Sequence, residues 1–90
     1  MSEEKNKSVT AYVLINCDLG SEESTVEELK HFESVKEIQE VFGAYDIITK
    51  VEAQHQDALR ETITWQIRKL DKVRSTLTLC CIEGQEFRRS

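Results

Sequence analysis

Four consecutive residues, Gly43, Ala44, Tyr45 and Asp46, bring together a backbone position that tolerates positive φ, a phenol and a carboxylate. A carboxylate placed there can receive an ammonium group. Further along the chain, Ser75, Thr76 and Thr78 offer hydroxyls that can hold a carboxylate, together with backbone N–H groups. Joined, the two sets fit the chemistry of a free amino acid, with Asp46 for its ammonium and Ser75, Thr76 and Thr78 for its carboxylate. A plainer reading stands beside this one. Gly43 then only makes a tight turn, Tyr45 covers a sheet edge, and Asp46 caps backbone N–H groups.

Other chemistry is thinly represented. His31 and His55 have no partner at a useful spacing and read as solvated surface side chains. Cys17, Cys80 and Cys81 are odd in number and lack a Cys-x-x-Cys spacing. Adjacent strand residues point to opposite faces, so a zinc site or a disulfide is not expected, and the thiols read as small buried hydrophobes. The three glycines form no phosphate-binding loop. No metal, no cofactor and no catalytic set is expected, so the chain does not read as an enzyme.

The whole composition narrows the field further. Ninety residues make one domain, 39% hydrophobic and 32% charged. The net charge of −5 argues against direct binding to nucleic acid. No apolar run nears the roughly 20 residues that cross a bilayer, and the polar start lacks a signal-peptide core. The expected location is the cytoplasm, with no membrane contact.

The candidate residues need elements to hold them. Residues 1–8 are charged and aperiodic, a flexible arm. Val9–Asp18 is a strand with one apolar face of Ala11, Val13, Ile15 and Cys17 and a second of Tyr12 and Leu14. Residues 22–33 carry an apolar stripe of Val26, Leu29 and Phe32, with Ser21 or the Ser24–Glu27 capping box at its start. Val35–Phe42 and Asp46–Ala53 alternate as strands around the Gly43 turn, the first near a sheet edge. Asp57 then caps a helix over 58–70, with Leu59, Ile63, Ile67 and Leu70 inward and Trp65 off that stripe. Arg74–Glu83 is the last strand, and residues 84–90 are a polar tail.

This β-α-β-β-α-β order gives an α+β, ferredoxin-like fold: a four-stranded antiparallel sheet with both helices on one face. The other face carries apolar side chains that two helices cannot reach. Leaving them wet costs roughly 1.5–3 kcal/mol apiece, which a short chain cannot spare. A homodimer packed face to face through its sheets is the expected remedy.

The Gly43–Asp46 tip, the run Ile47–Ala53 after it, the Val35–Ile38 lead-in, the strand Val73–Leu79 and the opening Ala11–Asn16 together resemble one known family. It is the effector-binding domain of the Lrp/AsnC (feast/famine) transcriptional regulators. The resemblance spans about residues 9–82. It implies a domain at 9–83 that dimerises through its sheets and assembles further into octamers or similar rings, with amino acids bound between dimers. It implies ligand-site roles for Gly43, Tyr45 and Asp46, and less directly for Ser75, Thr76 and Thr78. Regulators of the family carry an N-terminal helix-turn-helix domain; with only residues 1–8 ahead of the first strand, the chain is expected to be a stand-alone version of the effector domain. The implied role is amino-acid sensing, or modulation of full-length Lrp/AsnC regulators, without DNA contact of its own. Two other readings remain: a small dimeric α+β-barrel enzyme of monooxygenase or isomerase type, and a purely structural assembly domain. An ACT-like domain shares the strand order, but Asp18-Leu19-Gly20 matches its first turn poorly.

Overall fold

The computed structural model describes residues 8–89. The arm expected over 1–8 lies, apart from Ser8, outside them. The elements are β1 (Val9–Cys17), α1 (Glu22–Leu29), β2 (Val35–Glu40), β3 (Ile47–Ala53), α2 (Gln56–Glu61), a π-helical segment (Thr62–Ile67) that continues α2, and β4 (Val73–Cys80). The sheet order is β2-β3-β1-β4, with every neighbouring pair antiparallel. This is the ferredoxin-like α+β arrangement read from the sequence, with β2 at one edge and β4 at the other.

The alternation in β1 settles which face is inside. Ala11, Val13, Ile15 and Cys17 are all buried, each no more than 5% exposed. Ile47, Thr49 and Val51 of β3 lie beside them. Leu29 of α1, Leu59 of α2, and Ile63 and Ile67 of the π-helical segment close the layer. Thr49 is accommodated because its Oγ1 donates to the Val13 carbonyl at 3.1 Å. Thr25 of α1 is fully buried, and its hydroxyl is the one buried side-chain polar atom without a partner among the described residues.

Several boundaries differ from the sequence reading for local reasons. Helix α1 ends at Leu29 rather than residue 33, because successive tight turns follow: Phe32 N–H donates to Leu29 O at 3.2 Å and Val35 N–H to Phe32 O at 3.0 Å. Phe32 still packs on the core. The Ser24–Glu27 capping box does not form. Ser24 lies inside the helix and its Oγ donates to Ser21 O. The second helix starts at Gln56 because His55, not Asp57, is its cap, accepting the Ala58 N–H on Nδ1 at 3.4 Å. It ends at Ile67 rather than Leu70. Strand β4 stops at Cys80, because β1 offers almost no further partner: one more bond, Cys81 N–H to Thr10 O, closes the pairing.

The thiols need correcting too. Cys17 is buried, but Cys80 and Cys81 are exposed, since β4 is an edge strand and neither helix covers its end. Trp65 does not extend the core; it is 65% exposed beside the Lys69 ammonium, which sits 5.1 Å from the ring centroid. The sheet face away from the helices presents Tyr12, Leu77 and Leu79 to the surface, with Leu14 and Ile48 half-buried among them. Among the described residues no helix is long and apolar enough to cross a membrane.

A buried hydroxyl without a partner costs stability that a methyl would not. Thr25→Val is expected to raise the unfolding free energy by about 1 kcal/mol, seen as a higher urea midpoint at unchanged slope. Leu29→Ala, one turn further along α1, is expected to lower it by roughly 2–5 kcal/mol.

Candidate functional site

The end of the sheet where β1 finishes and β3 and β4 begin is held by Asp46. Its backbone N–H donates to Ile15 O and its carbonyl accepts from Val41 N–H, both at 2.9 Å. Its side chain does more. The β1–β3 ladder stops at Ile15 and Ile47, so Cys17 N–H has no strand acceptor there. Asp46 Oδ2 takes that proton at 2.9 Å. One residue therefore ties the β2–β3 connection to the tip of β1.

On the other side of β1 the ladder to β4 slips. Asn16 faces Ser75 but Cys17 faces Val73, so Arg74 is an extra residue bulged out of β4. Bulges of this kind re-aim side chains. Asn16 Nδ2 donates to Ser75 Oγ at 3.2 Å. Arg74 Nε stands 4.0 Å from Asp18 Oδ1, a contact between two exposed groups that contributes little.

These groups surround a depression of about 490 Å³ lined by Asn16, Glu22, Asp46, Arg74 and Ser75, with Cys17 and Leu19 completing it. The lining holds two carboxylates together with a guanidinium, a hydroxyl and a carboxamide. A zwitterion needs both sets: acceptors for an ammonium, and a cation with neutral donors for a carboxylate. Among the described residues no three His, Cys, Asp or Glu side chains come together as metal ligands would.

The six sequence candidates are thus divided. Asp46 and Ser75 meet in the depression. Gly43 and Tyr45 belong to the β2–β3 connection and do not line it. Gly43 has φ +135°, with nothing within 4 Å of an added Cβ, so its need for glycine is conformational rather than a matter of room. The connection spans residues 41–46, longer than the Gly43–Tyr45 turn read from the sequence. Thr76 and Thr78 alternate to the helix side of β4 and line a different cleft. Asn16, Glu22 and Arg74 were missed. Arg74 needed the bulge, which no residue type announces, and Glu22 needed the position of the α1 start.

Residues 10–86 match the family model described as the Lrp/AsnC ligand binding domain. The chain belongs to that family. The crystal structure of FFRP-DM1 has the same fold, with a TM-score of 0.80 and 38% identity over 82% of this chain and 99% of that one. AsnC of E. coli gives a TM-score of 0.82 at 25% identity, over 91% of this chain and 56% of that protein. The homocitrate synthase of Saccharolobus solfataricus is 36% identical over 73 residues, 80% of this chain. The chain spans only 16% of the length of that synthase. In this Lrp/AsnC domain, then, a regulatory effector-binding fold carries a depression at the strand ends whose lining suits a zwitterion.

Asp46 has two separable duties, an acceptor for Cys17 N–H and a negative charge at the depression. Asp46→Asn keeps an acceptor oxygen and is expected to leave the melting temperature close to that of the parent. Asp46→Ala removes the acceptor and is expected to cost about 1.5 kcal/mol, measured by thermal unfolding in parallel.

Proposed function

We propose that this Lrp/AsnC domain is a non-enzymatic sensor of a free amino acid in the cytoplasm, and that it works as a homo-oligomer. The single observation that carries the reading is the lining of the depression at Asp46. In this reading Asp46 and Glu22 receive the ligand's ammonium, and Arg74, Ser75 and Asn16 hold its carboxylate. Gly43 and Tyr45 shape the loop that presents Asp46. Leu19, Phe42 and the open depression stand at the surface, so a neighbouring copy would complete the enclosure. That supports an assembly of dimers into an octamer or similar ring, with ligand between them.

The dimer itself is supported by the bare sheet face. Tyr12, Leu77 and Leu79 are 38%, 43% and 51% exposed. They form a continuous patch, because Leu79 pairs with Tyr12 and Leu77 with Leu14 across β1–β4. A second copy laid on this face removes that surface from water.

The sensed signal has two candidate receivers. One is a full-length Lrp/AsnC regulator, joined through mixed oligomers. The other is a biosynthetic enzyme, and a specific observation favours keeping it: homocitrate synthases contain a stretch of 73 residues similar to this chain. A domain of this family found within an enzyme does not depend on DNA contact to be useful.

Isothermal titration against the common L-amino acids is expected to find one or a few that bind. Arg74→Gln and Glu22→Gln are each expected to weaken that binding at least about tenfold, and Asp46→Asn likewise, with the fold retained. Heat-silent titrations across the panel would remove amino-acid sensing and leave an assembly domain. Light scattering at micromolar concentration is expected to give at least twice the 10.4 kDa chain mass. Leu79→Asp is expected to return the monomer mass; a monomeric parent protein would remove the dimer.

A further inference from the structure

The helix side of β4 carries a second cleft, of about 350 Å³, that the amino-acid reading does not use. Its floor is apolar, formed by the buried Leu59 and Ile63. Arg60, Thr64 and Arg68 border it from the second helix, and Thr76 and Thr78 face them from β4. No Asp or Glu lines it. Its volume and its mix of apolar floor with a few polar groups are those of a small-molecule site.

Two independent features point to an anion. The first is charge. The ion pairs among the described residues engage Lys30, Lys50 and Arg74. Arg60 and Arg68 stand in none, although the chain has 17 acidic residues to 12 basic ones. Among the described residues the hydroxyls of Thr64, Thr76 and Thr78 make no side-chain hydrogen bond either, so the donors around the cleft are unspent there.

The second feature is the π-helical segment. Arg68 N–H donates to Ile63 O at 2.9 Å, an i to i+5 bond that widens the turn. On an unbroken α-helix, residues four apart advance by about 40°, so Arg68 would stand about 80° from Arg60. The wider turn advances less per residue and swings Arg68 back toward the line of Arg60 and Thr64. Segments of this kind recur at functional sites. Here the segment sets Arg60 and Arg68 on one cleft.

We propose that this cleft binds a small carboxylate with an apolar body and no ammonium group, such as an aliphatic 2-oxo acid. The guanidinium groups and threonine hydroxyls hold the carboxylate, and Leu59 and Ile63 receive the aliphatic part. An amino acid is excluded, because its ammonium would lie beside two guanidinium groups with no carboxylate to receive it. Inorganic phosphate would satisfy the arginines but gain nothing from the apolar floor. The cleft and the Asp46 depression thus take different classes of molecule, the two differing by the ammonium group.

The test is a titration of the ¹⁵N-labelled full chain with 3-methyl-2-oxobutanoate, followed by amide shifts, beside L-valine and inorganic phosphate at matched ionic strength. Saturable shifts are expected at Thr64, Thr76 and Thr78 with the 2-oxo acid. Arg60→Gln with Arg68→Gln is expected to weaken them at least about tenfold, and Asp46→Asn to leave them unchanged. Thr78→Val, which keeps both charges, is expected to weaken binding as well and serves if the double variant does not fold. Shifts that do not saturate, or that survive both Arg60→Gln/Arg68→Gln and Thr78→Val, would overturn the site. Equal binding of L-valine or of phosphate would overturn the ligand class.

Discussion

Two helices can cover one face of a four-stranded sheet and no more, and much of this molecule follows from that limit. The covered face takes the small and branched side chains of β1 and β3, and its burial is nearly complete. The bare face keeps Tyr12, Leu77 and Leu79. Helix coverage also runs out sideways. The layer sits over β1 and β3, so the helix-side residues of the β4 edge, Thr76, Thr78 and Cys80, border a cleft instead of a core. A third helix would have filled that cleft and buried the edge. With two, the fold leaves one broad apolar surface and one narrow polar-walled groove.

The ends of the sheet answer a different constraint. A strand that outruns its neighbour leaves backbone donors without acceptors. At the tip of β1 the Asp46 side chain solves this for Cys17. The two readings of Asp46, structural cap and ligand contact, are therefore not alternatives. The carboxylate that satisfies β1 also puts negative charge on the lining of the depression. The bulge at Arg74 does the corresponding thing on the β4 side, closing the strand pairing irregularly and placing a guanidinium on the same lining.

The fold was largely legible because the strand faces were written by alternation. Ala11, Val13, Ile15 and Cys17 named the inner face of β1, and Ile47, Thr49 and Val51 that of β3. Leu59, Ile63 and Ile67 named the inner stripe of the second helix. The site was legible only in part. Asp46 and Ser75 could be found as polar residues at strand ends. The separation of Ser75 from Thr76 and Thr78 was implicit in the same alternation, since neighbours on a strand face opposite ways. Grouping all three as partners of one carboxylate overlooked it. Glu22, Asn16 and Arg74 depend on tertiary placement and on a one-residue slip between strands, which side-chain chemistry does not encode.

The widened turn in the second helix also bears on how this chain can change. Leu59, Ile63 and Ile67 recur at a strict interval of four, which on an ordinary helix would drift steadily around the axis. The π-helical segment absorbs that drift, so the stripe stays on the sheet. In evolutionary terms the segment behaves as a one-residue insertion held in place by its neighbours. Losing a single codon within it would rewind the helix to regular pitch, leaving Ile67 seven residues after Leu59 and so only about 20° from its line. Arg68 would keep its bearing to Arg60 in the same way. One further inserted residue, by contrast, would turn Ile67 and Arg68 by about 100° and take them from the core and the cleft together.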